Sequence, residues 1–163
     1  MKLSDILNED LIEVNLPYLK KEEVISILST NLLKQNFITD KEQFLKDVFY
    51  RESIGMTGMG QGIAIPHGLS SSVIKAGVSI CKLATPIAWE SLDGEPVELV
   101  FLLAAPSDDK FHIKMLSQLA SILAYEENIN TLKKSNSKEE FLRIFEKLFE
   151  QQLEKRKKEL GGE

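Results

Sequence analysis

The chain has 163 residues, of which 43% are hydrophobic and 28% charged, which predicts one domain with a substantial core and excludes a disordered or fibrous protein. Twenty Lys and Arg against 25 Asp and Glu give a formal net charge of −5, which argues against nucleic-acid binding. One cysteine and two histidines exclude a disulfide framework and argue against a transition-metal site. No apolar run approaches the roughly 20 residues of a membrane span and no signal peptide is recognisable, so we expect a protein of a reducing compartment, most simply the cytoplasm.

In the N-terminal third, the hydrophobic pattern predicts one strand and two helices. Residues 12–16 alternate between apolar and polar side chains, which is typical of a short strand. Residues 21–36 carry apolar side chains at helical spacing. A capping-box pattern of Thr39 and Glu42 opens a second amphipathic helix, which should end near Arg51 because several glycines follow.

Three further strands are predicted after these glycines. Residues 63–65 form a short β-like run closed by Pro66, and residues 77–83 form another apolar run. Residues 97–105 are almost continuously apolar, which is typical of a central strand covered on both faces of a sheet.

Two more helices complete the predicted elements. Ser107 or Asp108 can cap a helix whose apolar stripe begins at His112. Another helix begins near Ser137 and carries apolar side chains at helical spacing.

The alternation of strands and helices around one doubly covered strand predicts the fold class. We expect a single α/β domain, a three-layer sandwich in which helices flank a central mixed β-sheet. The domain should cover residues 1–150, and the almost wholly polar residues 151–163 should form a solvated helical extension or tail.

The glycine-rich segment between residues 51 and 68 is the part of the sequence most typical of a functional site. Four glycines within eight residues cost backbone entropy on folding, so the segment needs unusual torsions or the close approach of another group. Its amides can form an anion-binding nest, and the candidate phosphate-binding residues are Gly58, Gly60, Gly62 and Gly68. Ordinary turn chemistry explains the glycines equally well. A dinucleotide fingerprint and a P-loop are excluded, because a helix precedes and a strand follows, and no Gly-Lys-Ser/Thr triplet occurs.

Both histidines can be placed where an anion would bind. His67 lies between a proline and a glycine, which would present its ring rigidly. A neutral imidazole, with an ordinary pKa of about 6.5, is a competent nucleophile toward a phosphoryl group. His112 at a helix N-terminus would stay neutral beside an anion, and Arg51 at the end of the preceding helix can lie near the same loop. The simpler alternatives are a hydrogen-bonded surface His67, a core His112 and a solvated Arg51.

The remaining candidates for chemistry are weaker. Cys81 lies in the middle of a predicted strand, where a small buried thiol is the expected role. Asp108 and Asp109 are better suited to capping a helix than to binding a metal. We therefore predict no metal site.

A family resemblance follows from these motifs. Residues 52–68, with the motif Ile-Ala-Ile-Pro-His-Gly, resemble the active-histidine signature of the fructose/mannitol class, or type 2, of enzyme IIA in the bacterial sugar phosphotransferase system. The resemblance continues through residues 89–97, 101–106 and 112–120 and covers roughly residues 3–149.

The resemblance implies a phosphohistidine relay. His67 would receive a phosphoryl group from the phosphocarrier protein HPr and pass it to a cysteine of an enzyme IIB, with Arg51 and His112 as the other active-site residues. No cofactor or metal is implied, because the donor is a protein phosphohistidine, and neither nucleic acid nor membrane insertion is expected. The stretch of residues 89–96 is more similar to fructose-type members, which favours sugar transport.

Two other functions remain open at this stage. The first is a regulatory, nitrogen-related enzyme IIA whose phosphorylation state controls other proteins. The second is a non-enzymatic glycine-loop module that binds phosphate without becoming phosphorylated.

Overall fold

A mixed β-sheet forms the middle layer of the protein. The computed structural model describes residues 2–107 and 110–161. The strands in these ranges are β1 (Ile12–Leu16), β2 (Gly58–Gly60), β3 (Ile63–Ala64), β4 (His67–Leu69), β5 (Gly77–Ile87) and β6 (Val97–Ala105). Their order is β1-β5-β6-β3-β2, with β4 also beside β6. β1/β5, β3/β6 and β4/β6 are parallel pairs, whereas β5/β6 and β2/β3 are antiparallel, which confirms the predicted mixed sheet.

Helices cover both faces of this sheet. In the described ranges they are α1 (Lys21–Lys34), α2 (Lys41–Ile54), α3 (Phe111–Leu123), α4 (Glu126–Lys133) and α5 (Lys138–Gly161). α1 and α2 pack together and contact β5 and β4, while α3, α4 and α5 pack together and contact β6 and β1. The predicted three-layer α/β sandwich is thereby confirmed. No helix among the described residues is both long and apolar enough to cross a bilayer.

The central strand is β6, as its composition predicts. Every residue of β6 except Glu98 is buried, because β5 lies on one side, β3 and β4 lie on the other, and helices cover both faces. The ring of Phe101 packs between two side chains of α5, with ring centroids 6.5 Å from Phe141 and 5.9 Å from Phe145. β6 is therefore the rigid element against which the shorter strands are placed.

The start of α2 differs from the prediction by one residue. Its N-cap is Asp40, whose side chain accepts a hydrogen bond from the Gln43 amide at 3.1 Å. The predicted cap, Thr39, instead donates its hydroxyl to Ser72 O at 3.3 Å. The predicted capping box of Thr39 and Glu42 is therefore wrong, because the carboxylate of Asp40 accepts the hydrogen bond from the helix amide.

The start of α3 also differs. The helix begins at Phe111, and the residue before it, Lys110, forms no capping hydrogen bond through its side chain. An N-cap directly precedes the first helical residue, so Ser107 lies too early to serve as the cap and that alternative is wrong. Asp108 and Asp109 lie outside the described residues.

Among the described α-helices and strands, three short elements escape sequence reasoning: α4, β2 and β4. α4 is separated from α3 by only two residues and carries few apolar side chains, so its periodicity is too short to detect. β2 is the tripeptide Gly-Met-Gly, and glycine is depleted in strands, which is why the segment reads as a loop. α2 and β5 also continue beyond their predicted ends, to Ile54 and Ile87.

The C-terminal segment continues α5 without a break. Leu153 packs against the core, Lys155 Nζ donates to Tyr125 Oη at 2.6 Å, and Arg156 Nη2 donates to Ser117 Oγ at 3.1 Å. The extension is therefore helical as predicted, but it lies partly against α3 and the residues that follow it. A domain limit at residue 150 stays a prediction, since the helix itself has no boundary there.

A break between β3 and β4 determines where His67 lies. Both strands run parallel to β6, with Ile63 opposite Leu99 and His67 opposite Leu103. Pro66 has no amide hydrogen for the ladder, but its carbonyl accepts from Leu103 N at 2.9 Å. His67 is therefore the first residue of β4, a strand beyond the predicted run of residues 63–65.

Candidate active site

The imidazole of His67 is held through both of its nitrogens. Nδ1 lies 3.1 Å from Ile65 O, and Nε2 lies 3.1 Å from Arg51 Nε. A carbonyl oxygen can only accept and a guanidinium can only donate, so we assign the proton to Nδ1 and the lone pair to Nε2. The residue is 9% exposed. Nε2 is therefore the nucleophilic nitrogen of a nearly buried, neutral ring.

Arg51 supplies the positive charge at this nitrogen. It lies in the last turn of α2, where a cation is favoured by the helix dipole. Its Nη1 also donates to Gly55 O at 3.0 Å, which fixes the guanidinium across the end of the helix. Within residues 2–107 and 110–161 it forms no salt bridge with a carboxylate. The guanidinium charge is thus available to an incoming anion.

His112 completes the group of predicted residues. It is the second residue of α3, so it lies at a helix N-terminus as the sequence indicates. Its ring is half-buried and stacks on His67, with 6.4 Å between centroids and 25° between planes. The structure therefore brings Arg51, His67 and His112 together from α2, β4 and α3.

The environment keeps His67 neutral. Burial is the main cause that lowers the pKa of its imidazole, because the protein interior solvates the charged ring poorly. The hydrogen bond to Ile65 O opposes this shift in the pKa, the electrostatic interactions with Arg51 and His112 reinforce it, and the interaction with Glu52 opposes it. The net pKa lies below its ordinary value, so Nε2 carries its lone pair at neutral pH.

Two of the four candidate glycines have hydrogen-bonded amides. Gly58 N donates to Glu90 O at 3.2 Å, and Gly60 N donates to Ser91 Oγ at 3.1 Å. A Cβ on Gly58 would lie 2.5 Å from Glu90 O, and Gly60 has a φ of +94°. Close approach and turn geometry therefore account for both glycines, and an anion nest there would require these bonds to break.

The other two glycines are also explained by their surroundings. Gly62 has a φ of +80°, a conformation that favours glycine. A Cβ on Gly68 would lie 2.7 Å from Phe44 Cε1 and 2.8 Å from Val48 Cγ2, so the absence of a side chain lets α2 pack on β4. A phosphate-binding role for the four glycines stays a prediction.

Cys81 is confirmed as a buried thiol. Its side chain is fully buried within β5, and burial raises the pKa of the thiol to about 12, with a further contribution from Glu13. A thiol that stays protonated and inaccessible is neither a nucleophile nor a metal ligand. It takes no part in the site.

Sequence reasoning misses a buried polar group beside the site. Glu52 Oε2 lies 2.6 Å from Lys21 Nζ, and Glu52 Oε1 accepts from Thr57 Oγ1 at 2.5 Å. Trp89 Nε1 in turn donates to Thr57 Oγ1 at 3.2 Å. We call Lys21, Glu52, Thr57 and Trp89 the Glu52 network. The one signal in the sequence is an acidic residue in the last turn of a helix, where the dipole disfavours it.

Comparison with known proteins assigns the chain to the phosphotransferase components. Residues 5–148 match the family model described as phosphoenolpyruvate-dependent sugar phosphotransferase system, EIIA 2. The chain therefore belongs to the type 2 EIIA family, which confirms the resemblance found in the sequence.

The relatives include both sugar-specific EIIABC components and nitrogen regulatory proteins. The chain is 34% identical over 145 residues to the 2-O-alpha-mannosyl-D-glycerate-specific EIIABC component of Escherichia coli, covering 87% of this chain but only 22% of that protein. It is also 34% identical over 146 residues to the nitrogen regulatory protein of Klebsiella oxytoca, covering 88% of this chain and 90% of that protein. The chain thus spans about a fifth of the length of the EIIABC components it matches.

Solved structures show the same fold. The nitrogen regulatory protein IIA-Ntr of Neisseria meningitidis superposes with a TM-score of 0.78 at 28% identity, covering 85% of this chain and 95% of that one. The enzyme IIA of mannitol transport from Escherichia coli, in its complex with phosphorylated enzyme IIB, has a TM-score of 0.73 at 26% identity, covering 85% of this chain and 95% of that one.

Proposed function

We propose that this protein is a phosphohistidine relay component of the sugar phosphotransferase system. His67 accepts a phosphoryl group from phospho-HPr and passes it to a cysteine of an enzyme IIB during sugar uptake. The observation that carries the proposal is the unprotonated Nε2 of a nearly buried His67, held 3.1 Å from the Arg51 guanidinium. The solved complex of a mannitol enzyme IIA with phosphorylated enzyme IIB supports the choice of acceptor.

The transfer step uses the lone pair of Nε2. Nε2 forms the new N–P bond while the N–P bond of the donor breaks, and that electron pair returns to the donor histidine. No proton has to leave His67, because Nδ1 keeps its proton throughout. The ring gains positive character as the bond forms, and Ile65 O, 3.1 Å from Nδ1, stabilises that charge through a strengthened hydrogen bond.

Arg51 changes its partner during this step. In the resting protein its Nε–H occupies the lone pair that attacks phosphorus, so this hydrogen bond must break as the phosphoryl group arrives. The guanidinium then donates to the equatorial phosphoryl oxygens, which suits its planar arrangement of N–H groups. His112, stacked on the ring, orients the phosphohistidine and shares its charge.

A regulatory role is the second candidate. The structure of a nitrogen regulatory protein superposes with a TM-score of 0.78. The sequence identity of the chain is 34% both to an EIIABC component and to a nitrogen regulatory protein. In that role the site chemistry is unchanged, but the phosphorylation state of His67 controls another protein. We favour transport, of fructose type, on the similarity of residues 89–96.

The test is phosphorylation by purified components. Incubation with phosphoenolpyruvate, enzyme I and HPr should add one phosphate, about 80 Da by intact mass, on His67. His67→Ala should stay unlabelled while keeping its circular dichroism spectrum, and full labelling of this variant would contradict the proposal. Adding a fructose-type enzyme IIB should then remove the phosphate, whereas a regulatory protein should retain it.

A further inference from the structure

The Glu52 network places a buried charge where the fold disfavours one. The Glu52 side chain is 7% exposed and lies in the last turn of α2, near the negative end of the helix dipole. Lys21, at the start of α1, compensates the charge, and its ammonium also lies 5.0 Å from the ring centroid of Trp89. Replacing a buried ion pair by apolar groups is often neutral or stabilising, so stability alone does not account for Glu52.

The network is connected to the Nδ1 side of His67. Glu52 holds the hydroxyl of Thr57, a residue that is 3% exposed. The carbonyl of Thr57 accepts from Ile65 N at 2.9 Å. Ile65 O is the acceptor for His67 Nδ1. The Glu52 carboxylate therefore anchors Thr57, and Thr57 in turn holds Ile65. The carbonyl of Ile65 determines which tautomer the His67 ring adopts.

The network is also connected to the Nε2 side. Glu52 follows Arg51 directly in the last turn of α2, and Arg51 Nη1 donates to Gly55 O. Gly55 lies between Glu52 and Thr57, whose side chains are hydrogen-bonded to each other. The turn that holds the guanidinium is therefore closed by the Glu52–Thr57 hydrogen bond.

We propose that Glu52 is a positioning residue for phosphoryl transfer, because its hydrogen bond to Thr57 fixes the segments that hold both hydrogen-bond partners of the His67 imidazole. This inference rests on the relay function proposed above. Glu52 does not touch the phosphoryl group. It keeps Nδ1 protonated and Nε2 aligned with the guanidinium, so that little reorganisation is needed when the donor arrives.

The first test examines the unphosphorylated protein. Nitrogen-15 NMR of the imidazoles should show the Nδ1–H tautomer of His67 in the wild type and a mixture of tautomers in Glu52→Ala. Glu52→Gln keeps an acceptor for Thr57 but removes the charge, so it should keep the tautomer. It should also lower the pKa of His67, because the charge of Glu52 raises it. Wild-type tautomer and pKa in Glu52→Ala would overturn the proposal.

The second test measures single-turnover transfer from phospho-HPr. Glu52→Ala should be slower by about 10²-fold, the scale of a misplaced reacting group, and Thr57→Val, which removes the hydroxyl at nearly constant volume, by about tenfold. Glu52→Gln should recover most of the rate. Equal rates for the Gln and Ala variants would overturn the proposal, since the charge and not the hydrogen-bonded anchor would then decide the rate.

A matched control separates positioning from general destabilisation. Lys82→Met removes another buried ammonium, which donates to Ser135 O at 2.6 Å before α5. It should lower the melting temperature without changing the tautomer or the transfer rate, and a rate loss as large as that of Glu52→Ala would overturn the proposal. Failure of wild-type His67 to be phosphorylated would contradict the relay function itself, while the tautomer comparison would still test the role of Glu52.

Discussion

We expect Arg51→Ala to slow transfer from phospho-HPr to His67 by about 10²–10³-fold, which corresponds to about 2.7–4 kcal/mol of lost transition-state stabilisation. The magnitude follows from the loss of one preorganised donor that faces the reacting nitrogen at 3.1 Å and that forms no salt bridge among the described residues. Arg51→Lys should fall between Ala and wild type, because it keeps the charge but loses the planar fork.

The same substitution has an opposing effect on the nucleophile. The charge of Arg51 helps to lower the pKa of His67, so its removal should raise that pKa. A larger fraction of the imidazole is then protonated and unreactive near pH 6. Burial remains the main cause of the lowered pKa, so at pH 8 the ring of the variant should still be neutral. The rate at pH 8 therefore measures lost phosphoryl stabilisation, and the acid limb of the profile measures the lost charge.

The assay is rapid-quench single-turnover transfer from phospho-HPr between pH 6 and 8 at fixed ionic strength, with circular dichroism as the test of folding. Arg143→Ala is the matched control, because the side chain of this α5 arginine is 76% exposed and its ion pair with Glu140 is long, at 4.0 Å. An exposed charge contributes about 0–1 kcal/mol, so the control should react within about fivefold of wild type. An Arg51→Ala rate in that same range at pH 8 would remove Arg51 from the site.

Three further predictions concern stability and inert groups. Gly68→Ala should lower the free energy of unfolding by about 1–3 kcal/mol in urea titrations, because the new Cβ meets Phe44 and Val48 within 2.8 Å; an unchanged midpoint would contradict the packing. Cys81→Ser should keep the transfer rate, and the wild-type thiol should resist alkylation at pH 8, since burial raises its pKa to about 12. The pKa of His67 is lowered on folding. The neutral ring therefore contributes fully to the free energy of unfolding above the unfolded pKa of about 6.5, and this contribution is lost as pH falls through the folded pKa. Wild-type protein should therefore lose more stability on acidification than His67→Gln, and parallel pH curves for the two would refute this.

Much of the fold could be predicted because its main elements have strong patterns. Residues 97–105 are apolar except for Glu98, and a doubly covered strand accommodates such a run, so both its limits and its place in the sheet agree with the structure. The helix cap at Asp40 and the strand β2 could not be predicted in the same way. Adjacent polar residues compete for one amide at the start of α2, and pairing with β3 stabilises a Gly-Met-Gly segment whose own propensity is poor.

The residues of the candidate site could be named from the sequence, but the contacts between them could not. Pro66 and Gly68 mark His67 as rigidly held, yet neither shows that Nδ1 finds Ile65 O and Nε2 finds Arg51. These contacts depend on the end of α2 reaching the start of β4, a tertiary relation that no local pattern encodes. The close neighbours of Gly58 and Gly68 likewise come from distant parts of the chain, so the packing that requires these glycines could not be seen in the sequence.

The arrangement of charges around the end of α2 fits the proposed relay, in which an anionic group approaches His67. Arg51 and Glu52 are neighbours in sequence, and a direct ion pair between them would cancel the charge that the phosphoryl group needs. Lys21 and Thr57 instead hold the carboxylate of Glu52, and the guanidinium of Arg51 donates to the neutral His67 ring and to Gly55 O. In the proposed transfer, the neutral nucleophile does not repel the phosphoryl dianion, the neighbouring cation attracts it, and the dianion replaces the His67 ring as the partner of Arg51.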